Sequence, residues 1–209
     1  MHFRNRTQAG QKLAEALSDF EGRRGAVLMA LPRGGVPVAA EMGRRLGLPV
    51  DVMPVRKLGV PGHEEYAMGA IAEGDLYFLD QQIVAEQHIS EAQVSEVMAR
   101  EHAELIRRRR LYRSERCGYG LAASTVIVVD DGLATGATMR VAIAALQQTR
   151  AEEVVIAVPV GAAQSCRELE HMVARLICPL QLAPLGAVGN WYDNFDEVTD
   201  AQVIQLLKN

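Results

Sequence analysis
The chain has 209 residues, 49% of them hydrophobic, and a formal net charge of −4. That length and apolar content suit one α/β unit with an appended lobe, and the negative balance excludes a general attraction to nucleic acid or to an anionic membrane. No run reaches the roughly 18 apolar residues of a membrane span, and MHFRNRTQAG carries no apolar signal core. Cys117, Cys166 and Cys178 are odd in number and lack CxxC spacing, so reduced thiols in a cytoplasmic protein are expected rather than disulfides or zinc. In chain order, a helix is predicted over about 7–20, with Leu13, Ala14 and Leu17 on one face. A strand near 26–31, a glycine turn, a helix over about 36–46 and a strand near 50–55 follow. Beyond a polar loop, AMGAIA and LYFL read as a hairpin-like extension. Residues 80–116 read as a long charged helical insertion, with Ser90 as N-cap and Gln93 at the third helical position. The sheet resumes near 125–129, continues over 153–160 and closes over 173–178. No internal repeat or low-complexity linker interrupts 1–209, so a single domain is expected.

The chemistry concentrates in STVIVVDDGLATGATMRVAIAAL, from Ser124 to Leu146. A β-branched run with no polar alternation reads as a strand in the middle of a parallel sheet, and the carboxyl ends of such strands are where ligands bind. After it, Gly132 and Gly136 permit tight turns, Thr135 and Thr138 add hydroxyl donors, and a helix from about Met139 turns its positive end to the same place. That is a cradle for a phosphate. Asp130 and Asp131 would repel a phosphate, so they read as acceptors for neighbouring hydroxyls, as on a ribose, or as partners of a divalent cation. Asp-Gly and Thr-Gly are also ordinary turn and cap chemistry, and the weight rests on the whole pattern of strand, acid pair, loop and helix. No GxxxxGK[ST], GxGxxG or GxSxG competes with it.

Two further stretches belong to the same edge. In AVLMALPRGGVPVAAEM, Arg33, Gly34 and Gly35 lie between a buried strand and a helix, where glycines admit close backbone approach and Arg33 offers a guanidinium fork for a diphosphate. In PVRKLGVPGHEEYAMGA, Arg56 and Lys57 leave a strand and enter a segment that reads as a mobile loop.

VVDDGLATGAT resembles the phosphoribosyl-diphosphate (PRPP) motif of the type I phosphoribosyltransferases. The resemblance covers about 28–146 without the insertion, and RK before a glycine-proline loop is most similar to the adenine phosphoribosyltransferase branch. It implies an α/β fold with an open parallel sheet flanked by helices, a C-terminal hood at about 183–200 and a helical insertion at about 80–118. It also implies Mg²⁺ as cofactor, held mainly by PRPP with Asp130 and Asp131 beside it, and a homodimer. In these terms Leu133, Ala134, Thr135, Gly136, Ala137 and Thr138 hold the 5-phosphate, Asp130 and Asp131 the ribose hydroxyls, and Arg33, Gly34, Gly35, Arg56 and Lys57 the diphosphate. The Arg33–Gly34 bond is where the family's cis peptide is expected.

The implied reaction transfers phosphoribosyl from PRPP to a nitrogenous base. The 6-oxopurine branch places an aspartate where this chain has Ala134, whereas the adenine branch uses a loop glutamate, and Glu65, before Tyr66, matches it with Glu64 left to solvent. In GNWYDNFDEVTD, Trp191 and Tyr192 offer stacking faces for a base, though a tryptophan after a last strand also serves packing. Arg107–Arg110 point four ways around a helix, which suits a solvated helix or a subunit contact and disfavours nucleic acid. A single His63 makes no metal site, and His88, His102 and His171 read as surface or packing residues. A PRPP or nucleotide sensor on the same fold, binding RNA through the arginine helix, is the alternative reading.

Overall fold
The structure, a computed structural model, describes residues 2–72, 76–112, 125–147, 149 and 151–208. Cys117, Ser124 and the end of the insertion beyond Tyr112 lie outside the described residues.

The apolar runs form a five-stranded parallel sheet from β1 (Ala26–Ala30), β2 (Val50–Val52), β6 (Thr125–Val129), β7 (Glu153–Ala157) and β9 (Arg175–Ile177), in the order β2-β1-β6-β7-β9. Every residue of β1 and β6 is buried, as expected for strands covered on both faces. Period-two alternation divides them between two cores. Val27, Met29, Val126 and Val128 pack with Ala142, Ile143 and Leu146 of α5 (Ala137–Leu146). Leu28, Ala30, Ile127 and Val129 pack with Leu13 and Ala14 of α1 (Arg6–Ala16) and Val38 and Met42 of α2 (Gly35–Leu46). The chain is thus an α/β protein with a central parallel sheet flanked by helices.

Residues 54–70 are a correction to the mobile-loop expectation. Arg56 and Lys57 lie within β3 (Val55–Val60), which pairs antiparallel with β4 (His63–Ala72), and β4 pairs with β5 (Tyr77–Leu79). Pro61 and Gly62, with Gly62 at φ 80°, make the turn between them. The glycines and prolines suggested a loop, but they serve a hairpin with irregular register at Leu58–Val60.

The expected charged helical segment divides into α3 (Gln81–Glu86) and α4 (Glu91–Tyr112). Ser90 caps α4 as expected: Gln93 N donates to Ser90 Oγ at 3.3 Å and Ser90 N donates to Gln93 Oε1 at 2.9 Å. Leu58, Val60, Met68 and Ile71 of the antiparallel sheet form a third core with Val97 and Leu105 of α4, which fixes the helix against the hairpin.

Several C-terminal elements had no clear sequence pattern: β8 (Val160–Ala162), α6 (Ala163–Glu170), β10 (Leu180–Leu182) and α7 (Asp200–Leu207). Strands β8 and β10 pair in parallel apart from the main sheet. Strands β8 and β10 are each three residues long, too short to show a period. No described helix is long and apolar enough to cross a membrane.

The third core gives a test. Leu58 is fully buried. Leu58→Ala should cost about 2–5 kcal/mol and lower the melting temperature by several degrees, as read by thermal unfolding. An unchanged melting temperature would mean that the hairpin and α4 are not tightly packed.

Candidate active site
Two βα junctions, β1–α2 and β6–α5, and the hairpin meet at the carboxyl edge of the sheet around a cavity of about 470 Å³. Its lining includes Asp130 to Met139, Pro32, Arg56, Lys57, Glu64 and Val188. Arg100, Glu101 and Arg108 of α4 complete the wall.

Asp130 and Asp131 follow directly on β6, at its carboxyl end. Asp131 N donates to Asp130 Oδ1 at 2.8 Å, and Arg6 Nε donates to Asp131 Oδ2 at 2.8 Å. Burial, reinforced by the charge of Asp131, pushes the Asp130 carboxyl well above the ordinary carboxylate range. Burial raises Asp131 as well, opposed by the charge and hydrogen bond of Arg6. The guanidinium of Arg6 is itself fixed, donating to Asp196 O at 2.8 Å and lying 4.0 Å from the Phe195 ring centroid.

The turn before α2 is pressed against this pair. A Cβ on Gly34 would sit 2.0 Å from Asp131 Oδ2, and one on Gly35 would sit 2.5 Å from Val129 O. Only glycine fits at either position, which is the physical content of the Arg33-Gly34-Gly35 turn. The cis peptide is one bond earlier than expected, at Pro32–Arg33. Arg33 is also placed differently: its guanidinium pairs with Glu197, and it is not among the residues lining the cavity.

The Leu133–Thr138 loop is held from behind. Leu133 N donates to Val160 O at 2.9 Å, Ala162 N donates to Leu133 O at 2.8 Å, and Ser165 Oγ donates to Ala134 O at 2.6 Å. Ala134 and Thr135 are exposed, and Gly136, at φ 78°, caps α5 so that the helix begins at Ala137, two residues earlier than expected. The N-terminal end of α5 therefore faces the cavity.

Opposite, Arg56 is held by Glu101, with its Nη2 2.7 Å from Glu101 Oε2, and Arg100 Nε donates to Glu101 Oε1 at 3.1 Å. Lys57 is exposed on the adjacent strand position and lines the cavity. Glu64 is 71% exposed, in line with its assignment to solvent, yet it stands in the cavity wall 3.5 Å from Arg100 Nη1. Glu65 lies in β4, and its side chain is outside the described part of the structure.

Neither C-terminal aromatic lines the cavity. Tyr192 is 5% exposed, donates Oη–H to Asp131 O at 2.6 Å and packs against Phe3 and Phe195, so it supports the acid pair in place of offering an open ring face. Trp191 Nε1 donates to Leu185 O at 2.9 Å. Val188 reaches the cavity, where it leaves no room for a Cβ on Gly132. Arg6, Glu101, Arg108 and Ser165 were missed from sequence. Arg6 lies 125 residues from its partner, and no spacing rule links them.

A family model for the phosphoribosyl transferase domain matches residues 3–187. The chain belongs to the phosphoribosyl transferase family. It is 38% identical to TT1426 of Thermus thermophilus, whose crystal structure it matches with a TM-score of 0.79 over 99% of this chain and 98% of that one. It is also 37% identical over 205 residues to proteins from two strains of Mycobacterium tuberculosis that are provisionally named phosphoribosyl transferases. The match covers 98% of this chain and 46% of theirs, so the chain spans about half the length of these curated relatives.

The raised carboxyl of Asp130 predicts a pH effect. Because its folded-state pKa lies above the unfolded value of about 3.9, its favourable contribution is full below that value and is lost as pH rises through the raised one. Asp130→Asn removes the buried charge and keeps the acceptor for Asp131 N. The variant should unfold at a higher temperature than the parent near pH 8, by roughly 2–4 °C for each kcal/mol regained, with the gap closing toward about pH 4. A parent that is the more stable at about pH 8 would show that ionised Asp130 is well compensated.

Proposed function
We propose that the protein transfers the 5-phosphoribosyl group of PRPP to a nitrogenous base and releases diphosphate. The observation that carries this reading is the single cavity shared by the acid pair, the Leu133–Thr138 loop and the Arg56–Lys57 strand. In this reading the loop and the α5 N-terminus bind the 5-phosphate, while Asp130 and Asp131 take the ribose hydroxyls. Lys57, Arg56 and the Gly34–Gly35 turn receive the diphosphate.

The C1′–O bond to diphosphate breaks as a bond from a ring nitrogen of the base to C1′ forms. The electron pair leaves with diphosphate, and the nitrogen's proton passes to a base. Positive charge develops at the sugar in the transition state, so a carboxylate beside it stabilises that state more than the ground state. The half-buried acid pair, ionised once a cationic centre develops beside it, suits that task. Anchoring the 5-phosphate holds C1′ in line with the attacking nitrogen.

Mg²⁺ belongs to the same proposal. The described residues contain no group of three or more His, Cys, Asp or Glu side chains that could hold a metal, but two adjacent carboxylates suit a cation that arrives on the oxygens of PRPP. Asp130 and Asp131 would complete its shell, and the ion would neutralise the leaving diphosphate.

For the acceptor we favour a purine-like base, with adenine as the first to test. Ala134 supplies no carboxylate in the phosphate loop, so the proton acceptor comes from elsewhere, and Glu65 of β4 is our choice.

Diphosphate release from PRPP and Mg²⁺ against a panel of bases tests the reading directly. Asp130→Asn and Asp131→Asn should each lower turnover by about 10²-fold or more with smaller effects on PRPP binding. Thr138→Val should weaken PRPP binding, read by calorimetry, without unfolding the chain. Glu65→Gln should lower kcat on the accepted base by about 10²-fold, and Glu64→Gln much less. PRPP binding without turnover on any base would favour a sensor, and no PRPP binding would end the proposal.

A further inference from the structure
The arginine run of α4 has a division of labour that its sequence conceals. Arg107 is half exposed and pairs with Glu104 and with Asp200 of α7, at 2.7 and 3.0 Å. Arg108, one position on, is turned inward: its side chain is 12% exposed, it lines the cavity, and its Nε donates to Glu104 Oε1 at 2.8 Å. Glu104 therefore serves two guanidinium groups, which hold its carboxyl down at about 2.

Helix α4 cannot easily swing away from the site. Val97 and Leu105 are buried against the hairpin, and Tyr112, 1% exposed, packs into the core beside α2 while its hydroxyl donates to Asp200. The charges of both Arg108 and Arg33 act on the Tyr112 hydroxyl, and Pro32, which leads into the glycine turn, lines the same cavity as Arg108. Arg33 is turned aside to Glu197 and does not line the cavity, whereas Arg108 stands in its wall.

The wall is charge-matched. Arg56, Lys57, Arg100 and Arg108 face Glu64, Glu101, Asp130 and Asp131. Away from the acid pair, the remaining carboxylates are partners of these same arginines: Glu101 of Arg56 and Arg100, Glu64 of Arg100. A guanidinium has five N–H donors, and the bond to one carboxylate oxygen engages one of them, so Arg108 can keep Glu104 and still present a fork to an anion.

We propose that Arg108 of α4 binds the diphosphate of the phosphoribosyl donor, together with Arg56 and Lys57, which makes α4 a substrate-binding element. The inference rests on the functional reading above and adds a substrate contact from a segment whose arginines suggested a solvated helix or a subunit contact, with RNA binding as the alternative.

The test is calorimetric titration of three probes, PRPP with Mg²⁺, inorganic diphosphate with Mg²⁺, and ribose 5-phosphate. Arg108→Gln should weaken diphosphate and PRPP by about tenfold or more, the scale of a lost charge-assisted contact, and leave ribose 5-phosphate within about twofold. Arg107→Gln removes the same charge one residue away and should leave all three nearly unchanged. Arg108→Lys should fall between, because an ammonium cannot present a fork, and it decides the matter if Arg108→Gln does not fold. Wild-type-like diphosphate affinity in the Arg108 variants would overturn the inference. So would equal losses in Arg107→Gln, which would indicate only a general field, or an equal loss for ribose 5-phosphate, which would indicate a structural role. Failure of the wild-type protein to bind PRPP or diphosphate would instead refute the functional reading itself.

Discussion
The site depends on two adjacent carboxylates held at the buried end of a central strand. Ionised carboxylates so placed are costly, and the chain offsets that cost at only one of them, and there in part, through Arg6 on Asp131. The surrounding backbone is arranged around that fact. Gly34 and Gly35 bring the turn of α2 into contact with the pair, Tyr192 fixes the carbonyl of Asp131 from below, and Val188 closes on Gly132. Arg6 comes from the start of α1, while Tyr192, Val188 and the Asp196 carbonyl that holds Arg6 come from the C-terminal segment. The two ends of the chain are thus joined at its most strained electrostatic point. Phe3 N donating to Trp191 O at 2.9 Å extends the same junction.

What was legible in the sequence follows from how local each signal is. The strand before Asp130, the loop to Thr138 and the Arg33-Gly34-Gly35 turn are contiguous, and each conformation is dictated by residues within a few positions. Their convergence follows from the parallel sheet, because all βα turns leave at one edge. The capping box at Ser90 and Gln93 is equally local, and it gave the start of α4 correctly. Other features are long-range and leave no period to read. Arg6 meets Asp131 across most of the fold, and Arg33 chooses Glu197, 164 residues away, over the cavity. Tyr192 illustrates the same limit: an aromatic near a last strand can offer its face or its hydroxyl, and only the packing with Phe3 decides for the hydroxyl.

The hairpin β3–β4 shows a different failure. Gly59, Pro61 and Gly62 are loop formers by propensity, and Lys57 and Glu64 suggest solvent. Yet a Cβ on Gly59 would lie 2.5 Å from Glu64 O, and one on Gly69 would lie 2.2 Å from Phe78 O, so glycine here permits close strand approach across an irregular register. Arg56, Lys57 and Glu64 line the cavity, while the apolar Leu58, Val60 and Met68 lie under α4. The pattern of this segment is therefore that of a strand pair whose charged residues border the cavity, where composition alone suggests a loop.

A site so arranged resolves a conflict that its charges create. A polyanionic substrate requires several cations, but a cluster of unpaired cations in a confined cavity would repel one another and destabilise the fold. Here the hairpin and α4 neutralise each other first: Glu101 lies between Arg56 and Arg100, and Glu104 between Arg107 and Arg108. Both carboxylates sit on the same helix, three residues apart, so they share one side of it and order the arginines on either flank. An incoming anion does not have to displace them, since each guanidinium retains donors beyond those its carboxylate uses. The carboxylates fix the geometry of the cations while lowering their net field. Under the proposed function, that arrangement would suit an anion with several oxygens, such as a diphosphate, better than a single halide or carboxylate, because only the former can engage more than one pre-oriented arginine at once.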